Sequence, residues 1–344
     1  MNWNILEKEI IKQCREAGKR EATTERYVAY CKNLFEQGLP IVTSPEHLSM
    51  LIGLCHEYVC RMAYGSKYFY RVFQIPKSNG ELRTITEPLP DLKYVQRWIL
   101  THILEKVSIS PYAKAFVKKR SVKENARFHK KQTLVVTLDI RDFFPSIHIS
   151  DVTRMFSDLG YYKELSSFLA HLCCFQETLP QGAPTSPYLS NLRMRNFDQR
   201  IAEYTKSHNI RYTRYADDLT FSGNFDASHM ICMVSQWIYE EGFSINPSKT
   251  HVARRNTRQE VTGIVVNSHL QVCKSDRKRI RQEVYYIGKF GLESHLAYIG
   301  ETRQHYLEHL LGKINFACYV NPNDQEMKSY YEQISRLLQA TRDV

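Results

Sequence analysis

The apolar run Leu134 to Leu138 ends on Asp139, and further along the chain Tyr215-Ala216-Asp217-Asp218 stands between two strand-forming runs, RYTRY and LTFS. A carboxylate at the end of a buried strand is costly to ionise unless a cation compensates it. Adjacent acids at a tight hairpin repel one another. Brought together from separate strands, two or three carboxylates make an oxygen-rich site suited to Mg²⁺, which takes further ligands from substrate phosphates. Two such ions about 3.5–4 Å apart can activate an attacking hydroxyl and stabilise a leaving pyrophosphate. An isolated Asp-Asp pair at a turn is more often a solvated loop, so the surrounding segments decide its meaning.

Those segments read as interleaved helices and strands. Residues 1 to 65 have apolar positions at three- and four-residue spacings and are expected to form an N-terminal helical layer. FYRVFQIPKSNGELRTIT carries strand formers on both sides of Asn79-Gly80, a hairpin signal, and a helix is expected after Pro88 and Pro90. Beyond the Leu134 strand come helices across 149 to 174, the loop ETLPQGAPTSP, and a helix of about 20 residues with Ser186 as its cap and Pro187 in its first turn. The Asp217-Asp218 hairpin is followed by a helix at 226 to 242, short strands at 250 to 254, 261 to 266 and 270 to 273, and an amphipathic helical C-terminal segment. Without the regular alternation of a doubly wound sheet, the expected class is α+β.

The net charge of +11 is concentrated. Residues 113 to 131 and residues 249 to 281 each carry +7, while the other 292 residues sum to −3. Two basic tracts on a near-neutral body suit a polyanion, with nucleic acid as the expected partner and a membrane surface as the weaker alternative. No apolar run approaches the roughly 18 residues of a membrane span, and the N-terminus lacks a signal-peptide core, so a cytoplasmic protein with no membrane partner is expected. The nine cysteines include no C-x-x-C pair and are read as reduced, mostly buried thiols.

In order along the chain, LDIRDFFPSI, LPQGAPTSPYLSN, YADD, GFSINPSKTHV and VTGIVVN resemble motifs A to E of the reverse transcriptases. The hairpin with Lys77 and Arg83 and the segment AKAFVKKRSVKENA resemble the finger motifs that precede them, so the likeness spans residues 70 to 267. The resemblance implies a right-hand polymerase: a helical layer at 1–65, fingers at 66–133, a palm of antiparallel sheet and helices at 134–260, and motif E with a helical thumb at 261–344. It also implies RNA-directed DNA polymerase activity on dNTPs with two Mg²⁺ ions. Asp139 and Asp217 would be the principal metal ligands, Asp218 a weaker partner, and the Ile140 carbonyl a further oxygen. Phe144 would be the aromatic gate that excludes a 2′-hydroxyl, while either it or Phe143 belongs to the core. Lys77 and Arg83 would hold the triphosphate, where solvated hairpin charges are the bland alternative. Gln181 and Gly182 would pack near nucleotide and template. Lys249 would serve as general acid for pyrophosphate or as a phosphate contact, the two readings standing level.

Asn125-Ala126-Arg127-Phe128-His129 and Val261-Thr262-Gly263 are similar to the N-A-x-x-H and V-T-G elements of retron reverse transcriptases. That resemblance implies a structured noncoding RNA as template and primer, started from a 2′-hydroxyl, with RNA-linked single-stranded DNA as product. It further implies a separate effector protein and a role in anti-phage defence. Asn125, His129, Val261, Thr262 and Gly263 are the expected contacts to that RNA, with Arg277, Lys278 and Arg279 gripping its backbone. His129 as a satisfied structural residue, and Val261 to Gly263 as a strand end, are the bland alternatives. From the chain length, no ribonuclease H, maturase or endonuclease domain is expected after the thumb. The rival readings are a group II intron or diversity-generating reverse transcriptase, and an idle nucleic-acid-binding scaffold.

Overall fold

The computed structural model describes residues 2–76 and 80–342. They form two compact units, the first comprising residues 1–117, 140–201 and 235–245, the second residues 118–139, 202–234 and 246–344. The chain passes between them several times, and one crossing falls at the Asp139–Ile140 peptide.

The first unit opens with four helices, Trp3–Glu16, Glu21–Glu36, Pro45–Ile52 and His56–Tyr64, whose spaced apolar residues Leu34, Leu48, Val59 and Met62 are buried. Ser44 caps the third helix by accepting from the His47 amide at 3.2 Å, with Pro45 pre-set at its first position. Strands β1 (Tyr70–Pro76) and β2 (Leu82–Pro88) then pair antiparallel from Tyr70↔Pro88 to Pro76↔Leu82. Lys77 and Asn79 lie outside the described residues. The helix expected after the prolines is Pro90–His102.

The expected 20-residue helix after the glycine loop is two, Ser186–Arg193 and Arg195–Ser207, broken at Met194. Ser186 is the first helical residue and not the cap, and the capping position, Thr185, makes no side-chain cap bond.

The second unit is built on a four-stranded antiparallel sheet: β3 (Leu134–Asp139), β4 (Arg211–Tyr215), β5 (Asp218–Gly223) and β6 (His251–Arg254), in the order β4-β5-β3-β6. Having neighbours on both sides, β3 is central, which is why its run of Leu134, Val135, Val136 and Leu138 is continuously apolar. A smaller sheet follows: β7 (Glu260–Val261), β8 (Ile264–Val265) and β9 (Gln271–Val272). The run expected as one strand at 261 to 266 is therefore folded back on itself, because Thr262 and Gly263 both take positive φ, +47° and +81°. Helices Lys274–Phe290, Leu292–Ile299, Tyr306–Val320 and Gln325–Arg342 complete the unit. Their stripes, including Val284, Ile287, Leu310, Ile314 and Met327, close over Val261, Ile264 and Val266 in one core. Tyr285, beside Val284 on the first of these helices, is 55% exposed.

Among the described residues no helix is long and apolar enough to cross a membrane, and all nine cysteines are free thiols.

Candidate active site

Antiparallel pairing of β3 with β5 sets Asp139 directly opposite Asp218. β4 and β5 pair from Arg211↔Ser222 to Tyr215↔Asp218, which leaves Ala216 and Asp217 as a two-residue turn. Ala216 holds φ +57°, a conformation disfavoured for any residue with a Cβ, and Nη1 of the fully buried Arg214 donates to its carbonyl at 3.1 Å. A strained, pinned turn thus delivers Asp217 beside the Asp139–Asp218 rung.

Electrostatics mark the rung as a cation site. Burial, then the carboxylates of Asp217 and Asp139, push the Asp218 carboxyl up to about 7, with Lys249 opposing them. Lys249 Nζ donates to both oxygens of Asp139, at 2.9 and 3.1 Å. This bond, aided by the neighbouring acids, raises the Lys249 pKa. The chain reaches this arrangement through Asn246, whose amide donates to the Asp139 carbonyl at 2.7 Å and whose side chain accepts from the Ser248 amide at 3.2 Å, capping the short turn Pro247–Lys249. The compensating cation of buried Asp139 is thus an ammonium supplied by the fold itself.

No group of three or more His, Cys, Asp or Glu among the described residues is arranged as a ready-made metal cage. The donor set fits a hard divalent cation all the same: acidic oxygens that burial and crowding keep from ionising together, at a place where substrate phosphates would supply the remaining ligands.

The remaining expected nucleotide contacts belong to the first unit. Arg83 lies exposed on β2 opposite Ile75. The Thr86 amide donates to the Gln181 carbonyl at 2.8 Å, and a Cβ on Gly182 (φ +139°) would stand 2.8 Å from the Thr86 carbonyl oxygen. The missing side chain of Gly182 thus makes room for the backbone of β2. Of the two phenylalanines, Phe143 is core, packed on Phe243 with ring centroids 5.8 Å apart, and Phe144 is half-buried, 6.3 Å from the Phe116 ring. Ile140 is buried and bridged to Ile245.

Asn125 and His129 are not surface groups. Both are wholly buried: His129 Nδ1 lies 2.7 Å from Ser222 Oγ and Nε2 2.7 Å from Thr213 Oγ1. The Thr213 hydroxyl donates to Asn125 Oδ1 at 2.6 Å, and Asn125 Nδ2 donates to Thr262 Oγ1 at 3.5 Å. Helical spacing of four puts Asn125 and His129 on one face, and that face meets the sheet and not solvent. Direct RNA contact by these two is replaced by a structural role; Val261 too is buried, leaving half-buried Thr262 and exposed Gly263 at the surface. Arg277 is likewise committed within the fold, its Nη2 lying 3.0 Å from Asp324 and 2.7 Å from Glu326, whereas Lys278 and Arg279 are exposed. Arg214, Thr213, Ser222 and Asn246 are not singled out by sequence reasoning; the second of the two arginines in the strand-forming run RYTRY, Arg214, was the available signal.

Residues 75–288 match the family described as reverse transcriptase (RNA-dependent DNA polymerase). The chain is similar to the Retron Ec86 reverse transcriptase of Escherichia coli, 32% identical over 83% of this chain and 87% of that one. It is also similar to the Retron Mx65 reverse transcriptase of Myxococcus xanthus, 32% identical over 85% and 72% of the respective chains. The match over residues 75–288, in this α+β fold, makes the chain an RNA-directed DNA polymerase. The chain belongs to the reverse transcriptases, and among them to those of retrons.

Proposed function

We propose that this enzyme copies a cognate structured noncoding RNA, starting from one of its 2′-hydroxyls, to make RNA-linked single-stranded DNA in a retron system of anti-phage defence with a separate effector. The observation that carries the catalytic part is the Asp139–Asp218 rung with Asp217 in its strained turn. Asp139, Asp217, Asp218 and the Ile140 carbonyl would hold two Mg²⁺ ions, which on binding supply activation of the priming hydroxyl and stabilisation of pyrophosphate. Lys77, Arg83, Gln181 and Gly182 form the dNTP contacts in this reading, and Phe144 is the sugar gate. The Thr262-Gly263 turn reads the RNA, while Lys278 and Arg279 hold its backbone without reading sequence.

The test is extension of an annealed primer on RNA with dNTPs and Mg²⁺, alongside sequencing of the nucleic acid that copurifies. Asp217→Asn removes a charge without removing bulk, so it should abolish synthesis while leaving RNA binding intact. Substantial polymerisation by that variant would overturn the metal-site assignment. Recovery of unrelated RNAs alone would overturn the cognate-template reading.

A further inference from the structure

The buried hydrogen bonds around Asn125 and His129 have a fixed direction. The single hydroxyl proton of Thr213 goes to Asn125 Oδ1, 2.6 Å away, because an amide oxygen can only accept. His129 Nε2, 2.7 Å from that same hydroxyl, must therefore donate to it. In the neutral ring Nδ1 then accepts from Ser222 Oγ at 2.7 Å. At the other end Asn125 Nδ2, a donor only, gives a hydrogen to Thr262 Oγ1 at 3.5 Å. The Thr262 oxygen is thus met by a donor from inside, and no acceptor among the described residues takes its own proton.

The turn that carries this hydroxyl is unusual in one respect. Val261 pairs with Ile264, so Thr262-Gly263 is a two-residue hairpin turn, and Thr262 sits at φ +47°. Asn or Asp suits that position, whereas a β-branched residue there is strained. Strain of this kind persists where the side chain is needed, and what Thr brings is its hydroxyl. A Cβ built on Gly263 would meet nothing within 4 Å, so the outer side of the turn is open.

We infer that the buried relay Ser222–His129–Thr213–Asn125 polarises Thr262, so that the turn presents a hydrogen-bond donor to an acceptor on a nucleobase edge of the cognate RNA. Asn125 and His129 are positioning residues, and Thr262 alone touches the ligand. The surrounding Lys and Arg side chains serve the phosphates; a neutral hydroxyl suits a neutral acceptor, a base carbonyl or ring nitrogen. This rests on the reading that the turn meets RNA. It goes further in fixing the polarity of the contact and in tying it to β4 and β5, the two strands that carry the Asp217 turn.

The experiment measures binding of the full-length protein to its copurifying RNA, transcribed in vitro, and to the same RNA with its loop bases permuted. Thermal unfolding followed by circular dichroism checks that each variant is folded. Thr262→Ser keeps the donor and should keep the preference for the native RNA. Thr262→Val, which removes the donor, and Asn125→Asp, which draws the Thr262 proton inward, should each cut that preference roughly three- to tenfold, the worth of one neutral hydrogen bond. The double variant should be no worse than either single one. Thr213→Val breaks the relay without burying a charge and should match them if Asn125→Asp fails to fold. No effect of Thr262→Val would overturn the reading that the turn meets RNA. Loss with Thr262→Val but not with the Asn125 and Thr213 variants, or multiplying losses, would overturn the relay. Equal weakening on both RNAs would make the contact a phosphate contact and overturn base reading.

Discussion

Lys249 straddles Asp139, its ammonium 2.9 Å from one carboxylate oxygen and 3.1 Å from the other, across 110 residues of sequence. An ammonium gripped in this way, with its pKa raised by the same bond, is a poor proton donor. Between the two roles open to it, general acid and phosphate contact, this geometry favours the contact: a cation at rest on Asp139 that would be free to meet the triphosphate or pyrophosphate with a metal bound there.

Lys249→Arg should accordingly retain synthesis within about tenfold of the parent, since a guanidinium keeps the charge but cannot give up its proton. Lys249→Ala should lose more, and should be half-maximally stabilised against heat by less Mg²⁺, its competitor for Asp139 having gone. Pre-steady-state incorporation rates and thermal shifts across a Mg²⁺ titration measure the two effects. A dead Lys249→Arg enzyme with normal nucleotide affinity would restore the general acid.

Much of the acidic rung was legible because its signals are local. An apolar run ending in an acid predicts a buried strand with a charge at its end, and an acid pair between two strand-like runs predicts a hairpin; together they needed only the pairing of β3 with β5 to meet. What stayed hidden depends on partners far along the chain. Asn125 and His129 sit among lysines and arginines and read as surface groups, yet the face they share lies against Thr213 and Ser222. Arg277 reads as a phosphate grip until Asp324 and Glu326 are brought beside it. Composition reports the charge of a segment, but only tertiary structure reports which charges are already committed.

Asp218 gives a pH signature. Its carboxyl, pushed up to about 7 in the folded chain, is near 4 when unfolded, so the fold favours its protonated form. The stability it contributes is fully present below about pH 4 and is lost as pH rises through about 7. Without divalent metal, the melting temperature of the parent relative to Asp218→Asn should therefore fall between pH 4 and pH 8, and Mg²⁺ should reverse the fall. A difference independent of pH would mean that Asp218 is not held protonated.

The two adjacent aromatics divide their labour. Phe143 is buried against Phe243, and Phe143→Ala should cost about 3–5 kcal/mol of stability, read by denaturant unfolding. Phe144 is half-buried, and on the proposed reading, in which its ring fills the space of a 2′-hydroxyl, Phe144→Ala should admit ribonucleotides with a much smaller loss of stability. Unchanged discrimination between dNTPs and rNTPs would make Phe144 core alone.

The three neighbouring cations of the helix Lys274–Phe290 should likewise separate. Arg277 is held by Asp324 and Glu326; Arg277→Gln leaves the buried Asp324 without its cation, while Glu326 keeps Arg281. Its effect should be a lower melting temperature, with RNA affinity changed little once the protein is folded. Lys278 and Arg279 are exposed, and a phosphate contact made by such a side chain displaces counterions from the nucleic acid. The double variant Lys278→Gln, Arg279→Gln should therefore melt with the parent, bind cognate and permuted RNA more weakly by the same factor, and flatten the dependence of log Kd on log salt by up to about two. The comparison is internal: three cations in a row, one expected to move only the melting curve and two only the salt slope. If Arg277→Gln flattened the slope as much as either neighbour while the fold held, its ion pairs would be an idle arrangement that opens to the RNA, and all three residues would belong to the grip.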